Sequence, residues 1–495
     1  MARTFDTLLA RMQELKDLSG VVGLATWDQE TYLPPKGEIA RASQLATLQG
    51  LCHERLVDPR VGEWVERAAT EALSPDEAAM LRVFKVERDR AVKTPQALVK
   101  AIAESQSHGL AAWREAREAK RFAPFKKALQ RLLELRREQA DALGHDGERY
   151  DALLESYEPG MRVRRLEPVL GRLKDQLIPL VEPLATASAR RPSKIAGRTF
   201  PKAAQWEFSL TLLRQMGFDF SAGRQDVSIH PFTGGTHPLD VRLTNRIDEA
   251  NPFSAIFSAI HEGGHGLFEQ GFAEADWRTP LAAAPSMGLH ESQSRLWENL
   301  IGRSHAFWEH FFPLLRQAFP EALQGVTLED WVFEANRVSR SLIRTESDEV
   351  TYNLHVVLRF ELELLLLNDA LPLDDLPAEW NRRMETLVGV RPENDLSGVL
   401  QDIHWAWGEL GYFPTYSLGN LYSASIHAAA QRAIPDLEDR IRRGDLLTLR
   451  EWLRTHVHAP GFRLPAEERV QALTGRGLTD EDFIAYLKRK YAAAS

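Results

Sequence analysis

Apolar residues recur at three- and four-residue spacing from residue 6 to about residue 184, set against polar faces dense in Glu, Arg and Lys. That is the pattern of packed amphipathic helices, and residues 76–92 and 125–143 are examples. The amino-terminal residues 1–20 fit it too. Arg11, Glu14, Lys16 and Asp17 break up what a secretory signal would leave uninterrupted, so an amphipathic helix is expected there. Breaks fall at residues 33–37, 144–147 and 158–160, each marked by Pro or Gly. The pattern changes between residues 226 and 247: residues 240–246 alternate with period two after the turn-rich Thr233-Gly234-Gly235-Thr236, which predicts a small sheet or hairpin. Helical spacing returns at Ser254 and continues nearly to Ser495. The expected fold class is mostly α, one large helical fold with a small β element near its middle and no repeat or dividing linker. Residues 1–495 then form a single unit, with an N-terminal helical part of about 1–200 and a chemically distinctive part of about 201–495.

Composition narrows the function classes. The 495 residues are 44% apolar and 26% charged, which excludes disordered and low-complexity classes. Subtracting 70 Asp and Glu from 61 Lys and Arg leaves −9, with no long block of either sign, so neither nucleic acid nor an anionic membrane is the expected partner. The most apolar run, residues 362–367, contains Glu363 and is far shorter than the ~20 residues of a membrane span. A lone cysteine, Cys52, allows no internal disulfide and no thiolate metal cluster, and suits a reducing cytoplasm.

The sharpest chemistry is His261-Glu262-Gly263-Gly264-His265. On a helix, residues four apart share a face, so both imidazoles can address one ion while Glu262 stands beside it as a base for a water activated by that ion. The two glycines each cost a helix interior roughly 1 kcal/mol against Ala, and their presence predicts close approach of another backbone or of substrate. A catalytic zinc takes three protein ligands and leaves a fourth position open, so a third donor is required. Glu269, Glu274, Asp276 and Glu291 are the candidates. Glu269 would have to double back along its own helix, whereas Glu291 lies on a second predicted helix, residues 286–299, with Ser286 as its N-cap. Glu291 is the chosen ligand.

HEGGH followed by HESQSRLWEN resembles the carboxypeptidase Taq family of metallocarboxypeptidases. Further family-like strings stand at His230-Pro231-Phe232, at residues 343–355 (IRTESDEVTYNLH), 398–405 (GVLQDIHW), 411–420 (GYFPTYSLGN) and 27–34 (WDQETYLP), so the likeness spans the chain. Ser347, Leu33 and Ser425 depart from the Ala, Met and Gln expected at those places. The resemblance implies a neurolysin-like helical fold with a deep central groove, akin to angiotensin-converting-enzyme-like peptidases. It also implies a homodimer, and removal of single C-terminal residues from peptides with broad preference.

Arg344, Asp348 and Tyr352 are spaced i, i+4, i+8 and are expected on one face of one helix, as a surface salt bridge or as a substrate-binding wall. With the resemblance, Arg344 is the first choice to hold the substrate's terminal carboxylate by a planar two-point match, with Arg337 and Arg340 as competitors. Tyr416, read as lying in a loop, is an expected donor to the oxyanion, and His230 and His404 are expected groove-lining donors. Asp402 is a candidate to orient one of the histidines, while Trp405 and Trp407 are expected to pack. The expected activity is a metal-dependent carboxypeptidase in which His261, His265 and Glu291 hold one divalent ion per chain, zinc first and cobalt or manganese as alternatives, with Glu262 as base and then proton donor to the leaving amine. Two rivals remain at this point: an oligopeptidase cutting internal bonds with the same centre, and a non-catalytic helical peptide-binding protein.

Overall fold

The computed structural model describes residues 3–492; residues 1–2, the start of the expected amino-terminal helix, and 493–495 lie outside the described residues. Helices α1 (Thr4–Thr31), α2 (Glu38–Val57), α3 (Pro59–Ala68), α4 (Pro75–Lys93), α5 (Gln96–Ala119), α6 (Ala123–Leu143), α7 (Arg149–Leu154), α8 (Val163–Ala189) and α9 (Lys202–Met216) lead into a small sheet. Its strands are β1 (Gly223–Val227), β2 (Thr233–His237) and β3 (Asp240–Asn245). Then follow α10 (Pro252–Glu269), α11 (Met287–Arg295), α12 (His305–Ala318), α13 (Leu328–Ala335), α14 (Tyr352–Leu367), α15 (Leu376–Val388), α16 (Pro414–Ala433), α17 (Leu437–Arg442), α18 (Leu447–Leu453), α19 (Ala466–Thr474) and α20 (Glu481–Lys490). The fold class is therefore the expected one. The predicted stretches 76–92 and 125–143 are α4 and α6. Helix α4 starts where a reciprocal cap fixes it: Glu77 N–H donates to Ser74 Oγ and Ser74 N–H to Glu77 Oε2, with Pro75 at the first helical position.

Strand β3 is the period-two segment, with Val241 and Leu243 turned inward and fully buried. It lies at the centre of the sheet, parallel to β1 and antiparallel to β2. The turn reading of Thr233-Gly234-Gly235-Thr236 is corrected here: these residues are β2. Glycines weaken a strand, but α1 crosses this edge so closely that side chains have little room. A Cβ on Gly20 would stand 2.7 Å from the carbonyl oxygen of Thr236, and one on Gly23 3.1 Å from that of Gly235.

Apolar burial divides the chain earlier than residue 200. Phe5, Leu8 and Met12 of α1, Val61, Val65 and Ala68 of α3, and Leu81 and Phe84 of α4 form a core of their own. From Ala116 onward the helices share one large core that includes the buried Trp297, Trp308, Trp331 and Trp380. Among the described residues no helix is long and apolar enough to cross a membrane.

The single helix expected across Arg344, Asp348 and Tyr352 is absent. Arg344–Glu346 is one 3-10 turn, and α14 starts only at Tyr352. Asp348 sets that start, because its carboxylate accepts the N–H groups of Val350 and Thr351 and the Thr351 hydroxyl, and its carbonyl accepts Tyr352 N–H. A side chain that captures the following amides in this way outcompetes helix continuation.

Candidate metal centre

Helix α10 is capped by Asn251, whose side chain accepts Phe253 N–H at 3.2 Å, and carries Pro252 at its first position. Its flank of Ala255, Ile256, Ala259 and Ile260 is fully buried, which fixes the helix's rotation. His261 and His265, one turn apart, then face the same space with ring centroids 5.0 Å apart. The glycine pair serves close approach, as expected. A Cβ on Gly264 would lie 2.6 Å from the carbonyl oxygen of Gln293 and 2.7 Å from Ser294 Cα, both backbone atoms of α11. One on Gly263 would meet the Leu213 and Met216 side chains of α9.

Helix α11 begins at the expected N-cap: Ser286 Oγ accepts Leu289 N–H at 3.0 Å. Glu291 comes off it so that Oε2 lies 3.3 Å from His265 Nε2 and 3.6 Å from His261 Nε2. These three residues can offer one donor atom each within 4.8 Å of one another, and they form such a group among the described residues. A tetrahedral ion with nitrogen and oxygen ligands at about 2.0–2.2 Å separates its ligands by about 3.3–3.6 Å, so the two carboxylate–imidazole distances already suit one. Burial pushes His265 down to about 3, so at neutral pH it is an uncharged imidazole, the form in which a histidine can offer a metal its lone pair.

The alternative carboxylates lie outside this group of three donors. Glu269 holds His290 Nε2 at 2.9 Å, and the His290 ring stacks on His265 with centroids 4.4 Å apart. Asp276 takes both terminal nitrogens of Arg463, and Glu274 is exposed.

Supporting contacts include residues that sequence reasoning missed. His261 Nδ1 donates to Glu298 Oε2 at 2.9 Å, which leaves Nε2 facing Glu291. Glu298 is itself held by Arg303 at 2.9 Å, and Arg295 Nε donates to Glu291 Oε1 at 2.7 Å. Burial alone would raise both carboxyls, but Arg295 and His261 on Glu291, and His261, Arg295 and Arg303 on Glu298, hold them well below the usual carboxylate range. Glu291, Arg295 and Glu298 sit at i, i+4 and i+7, and that one-face spacing was the available signal. Glu262 turns from the histidines toward β2, where Thr233 Oγ1 donates to its Oε2 at 2.6 Å. Burial raises the Glu262 carboxyl above its ordinary value. Nothing in the sequence pointed to Thr233.

A second cluster adjoins the first. Arg344, 5% exposed, gives Nε to Asp402 Oδ1 at 3.0 Å and Nη1 to the Tyr352 hydroxyl at 2.9 Å, and its guanidinium lies 4.7 Å from the Tyr416 ring centroid. The expected Arg344–Asp348 pairing is thus replaced by Arg344–Asp402. Asp402 orients no histidine by hydrogen bond; its other oxygen accepts Arg359 Nε at 2.6 Å. Tyr416 lies in the first turn of α16 rather than in a loop, its hydroxyl 3.2 Å from His404 Nε2. Burial pushes His404 down to about 3. Tyr412, unremarked in the sequence, packs edge-on between Tyr157 and Tyr416. The two clusters meet at Tyr352, over whose ring Arg295 lies at 4.6 Å.

Of the other expected residues, His230 is exposed on the connection from β1 to β2. Arg337 is committed to the carbonyls of Ser188 and Arg191 and to Glu334, and Arg340 to Glu182. Trp405 packs as expected and donates to Glu363 Oε1 at 2.8 Å, but Trp407 is 41% exposed. Ser425 donates to Asp482 at 2.8 Å, a packing contact between α16 and α20.

The family model described as Carboxypeptidase Taq (M32) metallopeptidase matches residues 7–491. Thermostable carboxypeptidase 1 of Thermus thermophilus is 42% identical over 502 residues, covering 99% of this chain and 98% of that protein. The crystal structure of an M32 carboxypeptidase from Deinococcus radiodurans R1 superposes with a TM-score of 0.97 at 38% identity, over 100% of this chain and 99% of that one. A Pyrococcus furiosus carboxypeptidase structure, titled Apo-Mg, gives 0.96 at 35% identity, over 99% of each chain.

Proposed function

The chain belongs to the carboxypeptidase Taq (M32) family of metallopeptidases and is a metal-dependent carboxypeptidase, and from that premise we propose which residues do the work. His261, His265 and Glu291 hold the divalent ion. Convergence of their three donor atoms, with His261 braced by Glu298 and Glu291 by Arg295, is the observation that carries the reading. When bound, the ion supplies Lewis acidity to the scissile carbonyl and to the attacking water. Zinc is the proposed ion, with cobalt and manganese compatible with the same donors.

Glu262 accepts the water proton. Thr233 fixes its Oε2, which leaves Oε1 free for proton transfer, and the raised affinity of the buried carboxyl for a proton suits a group that must take one and then return it to the leaving amine. Arg344 receives the substrate's terminal carboxylate. Arg344 and Arg359 share one carboxylate, Asp402, so this cluster keeps one net positive charge for an incoming anion. Asp348 supports that site indirectly, by setting the start of α14, and Tyr352 supports it directly through its hydroxyl. The Tyr416 hydroxyl, placed by His404, is the proposed oxyanion donor. His230 is assigned no step. The proposed assembly is a homodimer and the proposed location the cytoplasm, both as the sequence suggested.

The test is mass spectrometry of matched free-acid and amidated peptides. Wild-type protein with zinc is expected to shorten free acids one residue at a time and to leave amides intact, and Glu262→Gln to keep its metal while losing about 100- to 10,000-fold in kcat. Cleavage of amides at internal bonds would favour the oligopeptidase reading. A metal-loaded Glu262→Gln with near-normal kcat would remove Glu262 from the reaction.

A further inference from the structure

The first turn of a helix leaves four N–H groups without partners inside it. In α11 the N–H groups of Met287, Gly288 and Leu289 are met by acceptors other than the helix's own ladder. The Tyr157 carbonyl accepts Met287 N–H at 2.9 Å, Glu158 Oε1 accepts Gly288 N–H at 2.5 Å and Ser286 Oγ accepts Leu289 N–H at 3.0 Å, and the ladder begins with His290 N–H on the Ser286 carbonyl at 3.1 Å. Two of those three acceptors belong to the connection between α7 and α8, far away in sequence. Glu158 is 1% exposed, and burial pushes its carboxyl up to about 8 against the pull of Ser286 and Gly288, so it is largely uncharged at neutral pH. Gly288 is matched to it, because a Cβ there would lie 2.8 Å from Glu158 Oε1 and 2.8 Å from Leu418 Cβ of α16.

We propose that Glu158 is a positioning residue of the metal centre: it seats the first turn of α11 and so fixes where the Glu291 carboxylate stands relative to His261 and His265. One turn separates the seat from Glu291, and α11 has no slack to absorb a shift. On one side Gly264 brings α10 against its backbone, and on the other a Cβ on Gly419 would fall 2.4 Å from Glu291 Cγ. Removing the acceptor buries an unpaired Gly288 N–H, and the turn can recover a partner only by moving. A glutamine keeps the acceptor oxygen and the size of the uncharged acid.

The proposal rests on His261, His265 and Glu291 being the ligands, and the test separates the two claims. Metal-free wild type, Glu158→Ala, Glu158→Gln, Gly288→Ala and Glu291→Ala are titrated with Zn2+ against a chromophoric chelator, with thermal unfolding run on each. Glu158→Ala and Gly288→Ala are expected to bind about tenfold more weakly or worse, and Glu158→Gln within about threefold of wild type. With saturating zinc, Glu158→Ala should regain most of its kcat with KM little changed. Wild-type affinity in a folded Glu158→Ala overturns the proposal, as does a Glu158→Gln as weak as Glu158→Ala. Should Glu158→Ala not fold, undiminished affinity in Gly288→Ala overturns it. Undiminished affinity in Glu291→Ala overturns the ligand assignment instead.

Discussion

Asp402 lies between two guanidinium groups, and that sharing decides what loss of either one does. In Arg344→Ala the carboxylate keeps Arg359, so no buried charge is left bare. The loss of stability should then stay near about 1–3 kcal/mol, the range for one charged hydrogen-bonding partner. Catalysis should suffer more selectively. If Arg344 receives the terminal carboxylate, kcat/KM on free-acid peptides falls by roughly 2–4 kcal/mol and metal content is unchanged. Residual cleavage of amidated peptides should hardly move, so the preference for acids narrows. Steady-state kinetics on a matched acid and amide pair reads this directly, and an unchanged ratio would take the role from Arg344. Arg344→Lys should repair little, since an ammonium cannot reproduce the two contacts to Asp402 while also facing a substrate carboxylate. At this scale the sequence singled out Arg344 but not its partner, because Asp402 is brought to it by tertiary packing and Asp348 was nearer in sequence.

Elements built on local signals were legible, and those that depend on their neighbours were not. Ser286 ahead of an apolar-periodic segment marked the start of α11, and HEGGH marked the face of α10 that carries the histidines. The glycine-rich β2 read as a turn because its strand character comes from pairing with β3 and from α1 lying across it. Spacing across Arg344, Asp348 and Tyr352 mimicked one helix, where Asp348 instead holds the turn from which α14 starts. The glycine pair in α10 gives a differential test of how closely the elements are fitted. Gly264→Ala sets a Cβ against α11 backbone, so α10 and α11 must separate, and with them His265 and Glu291. An overpacking cost of about 1–3 kcal/mol and weaker metal binding are expected together. Gly263→Ala meets only the ends of the Leu213 and Met216 side chains, which can turn aside. It should cost less and leave metal affinity near wild type. Thermal unfolding and chelator competition on both variants check this, and equal metal affinities would show that the α10–α11 contact does not set the ligand geometry.

Across the whole molecule the large core and the small core of α1, α3 and α4 separate what is stable together from what can open alone. The module of α1 to α4 has its own small core and meets the rest, apart from the close crossing of α1 over β2, largely through polar contacts. Arg278 pairs with Asp17, Arg463 joins Asp76 of α4 to Asp276, Lys16 donates to the Ala282 carbonyl at 2.8 Å, and Arg82 donates to the Arg463 carbonyl at 2.8 Å. All four land on the segment of 276–282 or on Arg463, the residue that braces it, and that segment leads into α11. The solvent-facing Arg278–Asp17 and Arg463–Asp76 pairs contribute about 1 kcal/mol or less each and weaken in salt, whereas the buried Arg463–Asp276 pair and the contacts around α10, α11 and α16 are screened far less. Hydrogen exchange should therefore show α1, α3 and α4 opening as a unit at a lower free energy than α10 and α16, with the gap growing as salt is raised. Arg463→Ala should enlarge that gap by about 1–2 kcal/mol, since it removes Asp76 and Asp276 from one shared partner, while protection of α10 stays unchanged. Uniform exchange across both cores, or equal loss of protection in α10, would mean that the two cores unfold as one.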